Sequence, residues 1–140
     1  MSDSLQTRSF DSVKVDDVLP PLSLAITPKL IVGSAIATRD FQNVHHDKAG
    51  AQALGSPDIF MNILASNGLV GRFVGDWAGA NAILKSVKIR LGAPNYPGDT
   101  MELSGQVTAL DPAQRQVDIA VIGRNSIGNH VTGQVTVALP

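Results

Sequence analysis

"SPDIFMNILASNGLVGRFVGDWAG", residues 56–79, is the stretch whose reading decides the fold of this chain. Ser56, Pro57 and Asp58 form the start signal of a helix. They supply an N-cap, a proline at the first helical position and an acid in the first turn, where unpaired amides and the helix dipole favour negative charge. Behind them Ile59, Phe60, Ile63, Leu64, Val70, Phe73, Val74 and Trp77 recur at steps of three and four. That spacing predicts one long helix of about five turns with a wide apolar face. Gly68, Gly71 and Gly75 each weaken a helix by ~1 kcal/mol relative to alanine. Close packing against a sheet is the expected reason they are tolerated.

After Gly79 the apolar period changes from helical to alternating. Residues 82–92, 100–110, 115–125 and 129–139 read as four strands, separated by "APNYPGD", "DPAQ" and "SIG", which carry turn residues. Met101, Leu103, Val107 and Ala109 fall on one face, and Val131, Val135, Val137 and Leu139 do the same. Before residue 56, Ser23–Ile26 predicts a short strand after the punctuating "VLPPL", and Pro28 opens a helix through Ile31, Ile36 and Ala37. "DKAGAQAL" gives one or two helical turns ended by Gly55. Residues 1–17 are polar without sustained period and are expected as a flexible arm, with Val13, Val15 and Val18 permitting a short edge strand.

A length of 140 residues with 44% hydrophobic content suits one domain, residues 18–140. Four or five antiparallel strands need a cover, and the long helix is the only element large enough to provide it. The expected class is α+β, a sheet wrapped round one central helix in the hotdog arrangement, with uncovered edges that call for an oligomer. Lys plus Arg number 11 against 12 Asp plus Glu, which excludes a broad positive field for nucleic acid or an anionic membrane. The absence of cysteine excludes disulfides and thiolate metal sites and suits a reducing cytoplasm. The N-terminus lacks the pattern of a signal peptide, and no apolar run approaches the ~20 residues of a membrane span.

The chemistry-bearing stretch is "RDFQNVHHDKAGA", residues 39–51. On a continuous helix Asp40 and His45 would stand roughly 140° apart, so they converge only if the chain breaks between them, and Asn43 suits such a turn. A carboxylate and an imidazole that converge can share one water, the imidazole exchanging a proton near neutral pH while the carboxylate orients the water. The alternative is a polar loop whose histidine has a structural role. His46 is expected to point elsewhere, near Asp47. A metal site from His45, His46 and Asp47 is not expected, because adjacent side chains seldom converge on one ion. His130 reads as an exposed or hydrogen-bonded strand residue, and Trp77 as a core residue at the helix end. Lys85, Lys88 and Arg90 are candidates for phosphate contacts or a solvated strand face.

Asp40, Val44, His45 and Ala51 sit at the spacing of the signature of the MaoC-like hotdog family of (R)-specific enoyl-CoA hydratases, which Asp40–Ala51 resembles. Gln42 and Asn43 stand where that signature has Asn and Pro. The resemblance continues through the helix to "YPGDTMELSGQVTAL", where Gly98-Asp99 matches a recurrent turn. It implies hydration of a trans-2-enoyl-CoA by Asp40 and His45 without metal or redox cofactor. Asn62 matches the family's glycine whose backbone amide binds the thioester oxygen. "ATRDFQNVHHD", "DIFMNIL" and "DWAG" together look like the small catalytic subunits of actinobacterial MaoC-type hydratases acting on steroid-CoA thioesters, which implies a second, different hotdog subunit as partner; a homodimer is the other expectation. Two further readings stand beside this one: a hotdog acyl-CoA thioesterase, and a non-catalytic subunit that shapes a partner's acyl pocket.

Overall fold

Strand-forming sequence dominates the observed architecture, and one helix lies across it. The computed structural model describes residues 6–140. Its elements are β1 (Val18–Ala25), α1 (Pro28–Ala37), α2 (Lys48–Ala53), α3 (Ile63–Ala78), β2 (Ile83–Leu91), β3 (Thr100–Asp111), β4 (Gln116–Arg124) and β5 (Asn129–Ala138). The strands form one antiparallel sheet in the order β1-β3-β4-β5-β2, so β1 and β2 are the edges. Met101, Leu103, Val107, Val117, Ile119, Val121, Val131, Val135 and Val137 are buried on the sheet's inner face. Val70, Phe73, Val74 and Ala78 of α3 share that core, which makes this the hotdog layout expected from the sequence.

The long helix starts later than Ser56. Local and tertiary hydrogen bonds take residues 56–61 out of helical geometry: Ser56 Oγ donates to the Asp58 carbonyl, and Asp58 Oδ1 accepts from the Ile59 amide. The Phe60 amide donates to Val44 O and the Met61 amide to Asn95 O. Asn62 is the true N-cap, its Oδ1 accepting from the Ala65 amide at 2.9 Å. The apolar face rotates accordingly. Ala65 and Ser66 are buried, whereas Ile63 and Leu64 remain 51% and 49% exposed.

Three other expectations are corrected. β1 begins at Val18 and runs through Pro20 and Pro21, with a register shift between Leu19 and Leu22. Proline is tolerated there because an edge strand needs only half its amides for the ladder. Ala109 leaves the inner face, because a register shift after Val107 exchanges the faces of β3. The expected arm is docked: Arg8 N bonds Ala78 O, Phe10 N bonds Pro140 O, and Phe10 and Val13 enter the core. Residues 1–5 of that expectation lie outside the described residues. Among the described residues no helix is long and apolar enough to cross a membrane.

The helix glycines also divide. A Cβ at Gly71 would lie 3.6 Å from Leu84 Cδ2, whereas one at Gly68 or Gly75 would meet nothing within 4 Å. Because 3.6 Å is ordinary van der Waals contact, sheet packing requires glycine at none of the three. Gly68→Ala and Gly75→Ala should each stabilise the isolated chain by about 0.5–1 kcal/mol, through helix propensity and a less flexible unfolded state. Urea unfolding of both variants checks this, and a loss of stability would show that these positions need glycine for packing.

Candidate active site

The end of α1 sets the first functional group. Arg39 adopts φ +57°, its amide bonds Ile36 O, and the Asp40 amide reaches back to Ala35 O at 2.9 Å. This is a Schellman cap with an arginine in the left-handed position where glycine is usual. It turns the chain sharply and fixes Asp40 at the helix end. Gln42 is extended, and residues Asn43–His45 form a single 3-10 turn that carries His45 inward. The break required for convergence is thus made by extended Gln42 and the Asn43 turn, while Arg39 ends α1 ahead of it.

Asp40 Oδ2 lies 3.3 Å from His45 Nε2, with the two side chains 19% and 7% exposed. His45 Nδ1 is 2.7 Å from the Phe60 carbonyl, and the two rings meet edge to face at 5.1 Å between centroids. A carbonyl only accepts, so Nδ1 carries the hydrogen and neutral His45 presents its lone pair at Nε2. Asn62 Nδ2 donates to Asp40 Oδ2 at 3.1 Å and to Thr38 Oγ1 at 2.9 Å. Asp40, His45 and Asn62 open on a cavity of about 310 Å³ whose walls include Phe60, Leu91, Pro94 and His130. Amides in the first turn of α3 have no partner within the helix, so the positive end of its dipole faces this space.

His130, expected as an exposed or hydrogen-bonded strand residue, is the hydrogen-bonded one, buried with both nitrogens engaged. Nδ1 is 2.7 Å from Ala93 O and Nε2 is 2.7 Å from Ser66 Oγ. Burial holds its pKa below the usual histidine range, against a smaller raising effect of the Ala93 carbonyl. The neutral ring therefore donates from Nδ1 and accepts the Ser66 hydroxyl at Nε2. Asn95, also fully buried, anchors the facing loop: its carbonyl takes the Met61 amide and its Oδ1 takes Asn125 Nδ2. Sequence reading missed the burial of His130 and the part of Asn95; the one available signal was that His130 directly precedes the core residue Val131 in β5.

His46 is exposed and, among the described residues, forms no ion pair with Asp47. His45 and His46 thus face apart. Lys85, Lys88 and Arg90 are exposed on edge strand β2, and none of them lines the cavity, although Leu91 of the same strand does.

Fold and site together define a hotdog protein with a carboxylate–imidazole pair at the start of its central helix. No family model matches the chain. It is 50% identical over 125 residues, 89% of this chain and 95% of the relative, to the 3-oxo-4,17-pregnadiene-20-carboxyl-CoA hydratase beta subunit of Mycobacterium tuberculosis. The structure of the ChsH1-ChsH2 complex from the same organism contains a chain at 50% identity and TM-score 0.88, with 91% of this chain and 98% of that one covered. An (R)-hydratase from A. caviae involved in PHA biosynthesis shares the fold at TM-score 0.84 and 22% identity, over 92% and 98% of the two chains. The chain belongs to the MaoC-like hotdog hydratase family.

The state of His130 has a consequence for stability. Its pKa is lowered by folding, so the unfolded chain takes up this proton first as pH falls through about 6.5. Below that point the folded state loses ground, until the folded imidazole also protonates. Urea unfolding between pH 7.5 and 5.5 should show wild type losing more stability than His130→Asn. Parallel losses would remove His130 from the account.

Proposed function

We propose that this chain is the acid/base subunit of an enoyl-CoA hydratase. The observation that carries the reading is the 3.3 Å approach of Asp40 Oδ2 to His45 Nε2 at the cavity beside the start of α3. Asp40 and His45 hold one water between them. Nε2 takes a proton from that water, the oxygen forms its bond to Cβ of the enoyl group, and the electron pair of the double bond moves towards the thioester. The negative charge gathering on the thioester oxygen is met by the Asn62 backbone amide at the positive end of α3. The proton held by His45 then passes to Cα, which regenerates the pair. This cycle needs neither metal nor redox cofactor from the protein; coenzyme A arrives as part of the substrate.

A steroid-CoA thioester is the substrate class we favour, supported by the half-identical relative named for such a substrate. The partner is a second, different hotdog subunit, as in the complex formed by the similar Mycobacterium tuberculosis chain. Exposed Ile63 and Leu64 beside the cavity and exposed Ile83, Leu84 and Leu91 along the unpaired edge β2 give this partner an apolar surface to cover. Arg90 and Lys88 lead along β2 from Leu91 at the cavity and are the cations offered to CoA phosphates. Lys85, six residues from Leu91 and so about 20 Å away in an extended strand, is the outermost. For an acyl-CoA substrate we favour a cytoplasmic chain.

The test is hydration of a trans-2-enoyl-CoA by the chain co-purified with its partner. Asp40→Asn and His45→Ala should each lower kcat/KM at least 100-fold, the usual scale of acid/base assistance. Full activity in either variant would exclude that residue, and release of free CoA thiol would indicate hydrolysis instead.

A further inference from the structure

The Asn62 side chain has saturated hydrogen bonding that no part of the proposed reaction uses. Asn62 is 1% exposed. Its Oδ1 is identified by the Ala65 amide, which can only donate, so the amide cannot be flipped. Both Nδ2 hydrogens are then committed, one to Thr38 Oγ1 at 2.9 Å and the other to Asp40 Oδ2 at 3.1 Å. Thr38 is the C-cap of α1 and donates its own hydroxyl hydrogen to Ser34 O at 2.7 Å. A single amide therefore joins the end of α1 to the start of α3, with Asp40 held between the two helix termini.

Asp40 needs this restraint. Its other oxygen has only a 3.5 Å approach from the Gln42 amide, and the side chain sits at the protein surface, 19% exposed, just beyond a left-handed residue. A carboxylate so placed can turn out to water. We propose that the Asn62 side chain is a positioning residue: it holds Oδ2 of Asp40 against His45 Nε2, and through that oxygen keeps the pair in register with the amide end of α3. Asp40 Oδ2 accepts from the Asn62 amide, while His45, tied to Phe60 O, is left to move the proton. The same residue thereby links the acid/base pair to the oxyanion site by its side chain and backbone. This inference rests on the hydratase reading for its kinetic consequence, but the geometry stands apart from it.

The experiment is a double-mutant cycle with Asn62→Ser and Asp40→Ala, run on the complex with its partner. Serine keeps a capping oxygen for the Ala65 amide and the backbone donor of residue 62, and removes only the Nδ2 donor. In the wild-type background Asn62→Ser should lower kcat about 10- to 100-fold with KM within twofold; on Asp40→Ala it should change kcat less than twofold. Equal losses in both backgrounds, as a purely structural role would give, overturn the proposal, and so does unchanged kcat in the single variant. Nitrogen-detected NMR of the His45 ring gives a readout independent of activity. Asn62→Ser should shift the Nε2 resonance when Asp40 is present and leave it unmoved when Asp40 is alanine. An unshifted resonance in the single variant sinks the positioning role whatever the reaction is, whereas wild-type complex that hydrates no enoyl-CoA sinks the function and leaves the NMR result to decide this point.

Discussion

The site depends on a backbone carbonyl that a helix would have consumed. Phe60 O takes the Nδ1 hydrogen of His45 at 2.7 Å. In a helix running on from Ser56, as the sequence predicts, that carbonyl would have been spent on the amide four residues later. Because residues 59–61 are held extended by Val44 and Asn95 instead, the carbonyl is free and the histidine is fixed in one tautomer. The same interruption moves the helix start to Asn62, which brings a set of unpartnered amides beside the imidazole. One local departure from helical geometry thus sets both the orientation of the imidazole and the place where α3 begins.

Most of the fold was legible because its signals are periodic and redundant. Four strands and the body of α3 repeat their pattern over nine or more residues, so single exceptions do not alter them. Errors fell where one or two residues decide a boundary. Ser56-Pro57-Asp58 carries correct helix-start chemistry, yet the serine spends it on the Asp58 carbonyl and the aspartate on the Ile59 amide, and tertiary hydrogen bonds outweigh the signal. Pro20 and Pro21 looked like strand breakers because edge position is a property of the sheet, invisible along the chain. Phe10 and Val13 lie in a polar segment whose apolar residues are too few to show a period, although they find the core.

For the site, sequence spacing identified Asp40 and His45 as residues that a broken chain would bring together, and the break occurs. What spacing could not show is how α1 ends just ahead of it. Arg39 in the left-handed region costs of order 1 kcal/mol, and nothing in the residue type announces it. Asn62 was read for its backbone alone, yet its amide proves to be the nearest donor to Asp40. Asn95 was passed over, and His130 left open between exposed and hydrogen-bonded, for a shared reason: a buried polar residue differs from an exposed one only by its partners, and Ser66, Ala93, Met61 and Asn125 lie far off in sequence.

Burial of these polar groups also explains why the cavity can keep its shape in a chain so rich in small residues. Each buried donor or acceptor left unpaired would cost about 1–3 kcal/mol, and none of the buried side-chain nitrogens or oxygens among the described residues lacks a partner. His130 ties β5 to the first turn of α3 through Ser66, while Asn95 ties the facing loop to Met61. The wall opposite the acid/base pair is therefore fixed by hydrogen bonds whose geometry is directional, where apolar contacts alone would permit sliding. The cavity lined by Leu91 and Phe60 thus has one polar, hydrogen-bonded wall and one apolar rim. The rim includes Ile63, which is left half exposed. That asymmetry leaves the hydrogen-bonded side of the cavity complete within this chain and its apolar rim open to cover by a second subunit.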